Sequence, residues 1–111
     1  LAWGIPFTFH QDSPVIPPDM LETIWCACVR KTKTGRVLGA EERIPVEAAL
    51  RAVTQTAALQ YGLERELGTL RPGKRADFVL LSGDPLRTPP EELKKLQVER
   101  TIQRGRTIWS R

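Results

Sequence analysis

The residues of this chain best suited to chemistry stand near its beginning, where Ile5-Pro6-Phe7-Thr8-Phe9 runs into His10-Gln11-Asp12-Ser13-Pro14-Val15. The first of these stretches reads as a strand, and the second ends it. A carboxylate just past the end of a buried strand stands where α/β enzymes place catalytic groups, because loops at strand C-termini vary while the sheet holds them still. Asp12 is therefore the first candidate for proton transfer or metal binding. His10 lies two positions earlier, so on a regular strand both side chains would point to one face. Two groups are fewer than the roughly three or four protein ligands of a zinc site. From the residues alone, His10 reads more plainly as a packed or solvated histidine.

The chain that must position these groups has 111 residues, enough for one modest core and too few for a catalytic barrel of roughly 250 residues. Its first residue is Leu1, without a basic leader or an apolar signal core, so a piece of a longer protein is expected. No apolar run approaches the roughly 20 residues needed to cross a membrane. A net charge of +4 raises the question of an anionic partner. Lys and Arg alternate with Glu and Asp, and the basic stretches lack the interleaved aromatics on which bases stack, so a nucleic-acid partner is not expected. Cys26 and Cys28 are separated by one residue. On a helix they diverge, which suits neither a metal chelate nor a mutual disulfide and predicts two buried thiols in a reducing, cytoplasmic setting.

Pro17-Pro18-Asp19 announces a helix over about Pro18 to Arg30, with Leu21, Ile24, Trp25 and Cys28 at helical spacing and Arg30, Lys31 and Lys33 at its negative end. The segment around Gly35 and Gly39 reads as loop. A second helix begins after Ile44-Pro45, carries Val46, Ala49, Leu50, Val53 and Ala57 on its apolar stripe, and stops at Gly62. Leu70-Arg71-Pro72-Gly73 fits a type II turn, and Phe78-Val79-Leu80-Leu81 reads as a strand covered on both faces. Thr88-Pro89-Pro90-Glu91 has the spacing of a capping box before a short helix ending near Leu96. Val98 to Ile102 and Thr107 to Trp109 form a predicted hairpin, turned at Gln103-Arg104-Gly105-Arg106. Such a sheet needs a further partner to cover it, and self-association is expected when that partner is missing. The Gly73-Lys74 pair is no phosphate loop, because Arg75 follows the lysine, the upstream glycine is missing and a turn precedes it.

Taken in order, these stretches resemble the amidohydrolase superfamily. Residues 4–15 are similar to its eighth-strand signature, an (H/G)xDxPV-like stretch carrying the last metal-site aspartate, and Asp12 falls on that position. Ile44-Pro45-Val46-Glu47-Ala48-Ala49-Leu50 and Thr54-Gln55-Thr56-Ala57-Ala58 resemble the family's closing helix. Residues 68–81 resemble its GxLxPGKxADxVxL segment, and residues 98–106 its TxxxGR strand pair. The surroundings of Asp12 and Arg30 are most similar to the metal-dependent branch that includes N-substituted formamide deformylase.

The resemblance implies an α/β fold: the C-terminal end of a TIM-barrel amidohydrolase, with the last barrel strand and its helices over residues 1–63, followed over 64–111 by strands of a composite β-sandwich. The rest of that sandwich and barrel would come from an N-terminal part of the same chain. It also implies hydrolysis of a non-peptide carbon–nitrogen bond in a small amide-type substrate by a water activated on a divalent metal, zinc by expectation. Asp12 would be both metal-site residue and general base, passing its proton to the leaving nitrogen. His10 would lie beside the site or in the substrate pocket without binding metal, and Trp3 would line the pocket or be buried under the barrel. The chain has one histidine in total, so the family's histidine ligands have no counterpart here and the isolated chain is expected to be inactive and to hold no metal. The competing expectation is a structural or interaction module that keeps this scaffold without catalysis.

Overall fold

The computed structural model describes residues 3–111. Helix α1 spans Met20–Val29 and starts where Asp19 accepts hydrogen bonds from the backbone N–H groups of Leu21 (2.9 Å) and Glu22 (3.1 Å). A carboxylate in that position satisfies two orphan donors and faces the positive end of the helix dipole. The helix thus begins two residues later than Pro18, because the prolines precede the cap. Its other end closes at Arg30, which has φ +57 and donates its N–H to the Cys26 carbonyl at 2.9 Å. Arginine adopts this left-handed conformation with several ties around it. Its Nε donates to the Leu38 carbonyl at 3.0 Å, the Leu38 N–H returns to the Arg30 carbonyl at 2.9 Å, and Arg43 Nε reaches the Val29 carbonyl at 3.1 Å. The intervening segment is a small hairpin bridged at Lys31 and Val37, followed by a 3₁₀ turn at Ala40–Glu42.

Sequence periodicity predicts one helix up to Gly62, but the structure divides it into α2 (Val46–Val53) and α3 (Gln55–Gln60). The break is at Thr54 (φ −124, ψ −85), whose hydroxyl donates to the Leu50 carbonyl at 2.7 Å. A threonine that bonds back to the preceding turn offers the backbone an alternative to continuing the helix. Gly62 ends α3 as expected, with φ +68 and the paired bonds from Gly62 N–H to Leu59 and from Leu63 N–H to Ala58 that define a Schellman closure. Beyond it the chain crosses back over the Thr54 break at Gly68. A Cβ there would lie 2.7 Å from Ala58 Cβ and 3.0 Å from Gln55 Cα, so only glycine permits the crossing.

The sheet has the order β1 (Phe78–Leu81), β2 (Val98–Gln103), β3 (Arg106–Ser110), all antiparallel. Arg104 and Gly105, at φ +50 and +75, make the two-residue loop of the hairpin, as a type I′ turn requires. The proline turn runs from Arg71 to Lys74, one residue later than its predicted frame, with Gly73 at φ +88. Lys74 then spends its ammonium on the carbonyls of Glu64 (2.5 Å) and Leu67 (3.0 Å), in keeping with a structural role for the Gly73-Lys74 pair. Asp77 holds two elements at once: Oδ2 accepts from Arg75 at 2.8 Å, and Oδ1 accepts from the Arg104 backbone N–H at 2.6 Å.

Pro90–Lys95 forms a 3₁₀ helix rather than an α-helix, and the predicted capping box does not form. Thr88 turns its hydroxyl to the Asp84 carbonyl instead, and Pro89 takes the cap position. This short helix delivers Leu93, fully buried, into a core shared with Ile24, Cys28, Val29 and Ala49. Two further features concern pairing and cover within the described residues, and a third corrects the expectation of two buried thiols. Residues 5–9 carry no strand ladder, because no described segment lies alongside to pair with them. The β1 residues Phe78, Val79 and Leu80 are 38%, 51% and 43% exposed, so the described residues leave this apolar strand only partly covered, as expected of a sheet that needs a further partner. Cys26 is exposed while Cys28 is buried, because the core meets only one side of α1. No helix among the described residues is long and apolar enough to cross a membrane.

Two outcomes follow from these contacts. Gly68→Ala and Gly73→Ala both place alanine at positive φ, at a cost of about 1 kcal/mol each, but only Gly68 also meets a steric wall, whereas Gly73 has open space around it. Denaturant midpoints should fall clearly further for Gly68→Ala, and equal shifts would contradict the close crossing. Burial pushes the Cys28 thiol up from its ordinary pKa by desolvation, which lowers its thiolate fraction at neutral pH. Iodoacetamide under native conditions should therefore label Cys26 and spare Cys28 until the protein unfolds, as read by mass spectrometry of the peptides.

Candidate active-site edge

The turn that carries Asp12 is held from both sides. Asp12 has φ +54, its carbonyl accepts the Val15 N–H at 2.8 Å, and its own N–H donates to His10 Nδ1 at 3.0 Å. Left-handed backbone at a non-glycine residue favours Asp and Asn and persists where surrounding bonds impose it. The backbone of Asp12 is thereby occupied and its side chain is exposed.

His10 and Asp12 do come together, but not as a regular strand would bring them. Instead of two side chains on one face, the His10 ring caps the Asp12 amide. Nδ1 must be the unprotonated nitrogen in that bond, leaving the Nε2–H tautomer. His10 thus has a defined local task with Nδ1 engaged. Among the described residues Trp3 has little cover, being 89% exposed.

The residues leading into the turn are tied to the helices behind it. Thr8 Oγ1 donates to Gln60 Oε1 at 2.8 Å, and Phe9 packs on the core, with the Phe7 ring edge-on at 5.7 Å between centroids. Gln11 Nε2 donates to Thr23 Oγ1 on α1 at 2.7 Å, and that hydroxyl donates to the Asp19 carbonyl at 2.9 Å. Sequence reasoning identified Asp19 as a helix start but missed Gln11 and Thr23, since their contact joins side chains twelve residues apart and has no local signature.

A broad concavity of about 920 Å³ opens beside this region, with Phe9, His10, Trp25, Cys26, Arg30 and Lys94 among its walls. Asp12 does not line it. Lys94 sits 4.3 Å from the Trp25 ring centroid, a cation–π contact that ties the 3₁₀ helix to α1. Among the described residues, no three His, Cys, Asp or Glu side chains gather as a metal site would require. The exposed Asp12 carboxylate is free to supply at most one ligand, so a complete metal site would need groups from elsewhere.

Comparison with known proteins places this geometry in context. The sequence profile described as "Amidohydrolase family" matches residues 1–109. The chain is 31% identical over its full length to YtcJ of Bacillus subtilis (strain 168), a protein assigned to the amidohydrolases, and covers 22% of it. It is 33% identical, over 92% of its length, to the N-substituted formamide deformylase of Arthrobacter pascens, of which it covers 19%. A crystal structure of an amidohydrolase from Thermotoga maritima MSB8 superposes on 97% of the chain with a TM-score of 0.71 and 28% identity, and the match covers 24% of that protein. The chain thus spans about a fifth to a quarter of the length of these relatives. With the match running through the Asp12 turn, the helices and the hairpin alike, the chain belongs to the amidohydrolase family.

Proposed function

We propose that this chain is the C-terminal part of a metal-dependent amidohydrolase that hydrolyses a non-peptide carbon–nitrogen bond in a small amide-type substrate. In this reading residues 1–63 contribute the last barrel strand and its helices, and 64–111 contribute strands to a composite β-sandwich completed by an N-terminal part. The observation that carries the proposal is Asp12 itself: an exposed carboxylate on a turn whose backbone is fixed by His10 and Val15, within a chain matched to the family from residue 1 to 109.

Asp12 would hold one position at a divalent metal, with zinc the expected ion, and the remaining ligands would come from the N-terminal part. When bound, such an ion lowers the pKa of a water molecule toward neutrality. The work left to Asp12 is proton transfer. Its carboxylate accepts a proton from the attacking water and returns it to the leaving nitrogen, which departs as a neutral amine. His10 supports this by capping the Asp12 amide through Nδ1, which holds the turn without consuming the carboxylate. The competing reading, a scaffold without catalysis, draws on the missing cluster of ligands among the described residues.

Two measurements test the proposal. The isolated chain, dialysed against zinc and analysed for metal, should retain far less than one equivalent and hydrolyse no amide, because one carboxylate and one histidine fall short of the three or so ligands such a site needs. Stoichiometric zinc or amide turnover by the isolated chain would contradict the shared site. In the complete enzyme, Asp12→Asn keeps the shape but removes the proton acceptor and should lower kcat roughly 100- to 10,000-fold. Asp77→Asn is the control: its carboxylate clasps Arg75 and the Arg104 amide, so it should lower thermal stability more than turnover. An Asp12→Asn enzyme that binds metal and keeps most of its turnover would dismiss the catalytic role of Asp12, whereas a complete protein with neither bound metal nor amide turnover would favour the scaffold.

A further inference from the structure

Gln11 immediately precedes Asp12 in the chain and is the only residue of the turn region whose side chain reaches α1 among the described hydrogen bonds. The orientation of its amide is set by its partner. Thr23 Oγ1 gives its proton to the Asp19 carbonyl at 2.9 Å, so it must accept at its lone pair, and Gln11 must present Nε2 rather than Oε1 at 2.7 Å. The Asp19 carbonyl in turn receives the Thr23 backbone N–H at 3.1 Å, and the Asp19 carboxylate caps the first turn of α1. A continuous run of directed bonds therefore connects the helix start to the peptide that leads into Asp12.

We propose that Gln11 and Thr23 are positioning residues: their hydrogen bond ties the turn at Gln11 to α1 and thereby, together with the His10 cap on the Asp12 amide, aims the Asp12 carboxylate. This rests on the catalytic reading of Asp12 given above. The physical ground is that Asp12 is in left-handed backbone, where a modest rotation about the preceding peptide swings the carboxylate away from the reacting atoms. A displacement of about 1 Å at such a group can cost on the order of 100-fold in rate. Thr8 and Phe9 hold the residues further back and His10 Nδ1 caps the Asp12 N–H within the turn, but among the described hydrogen bonds only Gln11–Thr23 ties that turn to α1. The same bond ends on the N-terminal turn of α1, so the helix serves as the fixed frame for the carboxylate.

Thr23→Val removes the hydroxyl while keeping the β-branched shape, and the Asp19 carbonyl stays paired with the backbone N–H of residue 23. Gln11→Met removes the amide from the other side. The Asp12 amide keeps its own bond to His10 Nδ1 in either variant, but the turn holding that bond loses its tie to α1, so hydrogen exchange of the amide should be roughly 2- to 10-fold faster, the ratio for losing one ordinary hydrogen bond from the closed state. The double variant should be no faster than the singles, because the two residues share one bond. In the complete enzyme both variants should lower kcat about 10-fold or more with little change in KM, and Thr23→Ser, which restores the hydroxyl, should recover the wild-type kcat and exchange rate. Unchanged exchange and kcat in Thr23→Val, beside an inactive Asp12→Asn, would overturn the positioning role and leave the catalytic reading standing. Additive effects of the two single variants would also overturn it. If Asp12→Asn stays active, the catalytic reading falls and the kinetic role of the bond falls with it, whatever the exchange rates show.

Discussion

The burial of Leu93 between α1 and α2 is the contact on which the rest of the molecule depends. Its side chain packs with Ile24, Cys28, Val29 and Ala49, and among the described residues no other large side chain is as fully enclosed. A Leu side chain at full burial contributes about 1.5–3 kcal/mol by transfer alone, a large share for so small a core. The contact also fixes geometry. It holds the 3₁₀ helix against α1, and Lys94 adds its stacking on Trp25. α1 then presents Thr23 to Gln11, and the turn of Asp12 hangs from that helix. The position of the carboxylate is thus tied to a leucine far away in sequence.

The segment from Gly68 to Asp77 works mechanically throughout. Gly68 lets the chain pass within van der Waals reach of α3, Gly73 turns it, and Lys74 ties two carbonyls of the preceding loop. Ala76 offers its carbonyl to the Gly105 N–H at 3.0 Å, and Asp77 accepts the neighbouring Arg104 N–H. Together these two residues receive the hairpin turn as a socket receives a peg. A motif rich in Gly, Lys and Asp resembles a binding loop in composition, but here the Lys74 ammonium and one Asp77 oxygen are spent on backbone groups of the chain and the other Asp77 oxygen on Arg75.

Legibility in the sequence followed the range of the interactions. Asp19, Gly62 and the Arg104-Gly105 loop were readable because caps and tight turns are decided within a few residues. The break at Thr54 was not, since periodicity runs through it and the crossing by Gly68 is a tertiary event. The capping box failed for a related reason: two prolines set the start of the 3₁₀ helix and freed Thr88 to bond backwards to Asp84. For the candidate site, Asp12 stood out by type and place, and His10 by proximity. The capping of the Asp12 amide by His10 and the Gln11 to Thr23 bond needed three dimensions, because a left-handed residue between His10 and Val15 reverses the alternation a strand would impose.

The socket formed by Ala76 and Asp77 also bears on the order in which the sheet assembles. β2 and β3 are joined by a two-residue loop and can close as a local hairpin, whereas β1 must find β2 across an intervening segment that includes the 3₁₀ helix. During synthesis β1 is made first. Its apolar residues Phe78, Val79, Leu80 and Leu81 therefore wait unpaired until the hairpin turn exists for Asp77 to grip. In that interval the edge that β2 will occupy is open to any complementary strand it meets, so the nascent sheet is vulnerable to mispairing until β2 and β3 are complete.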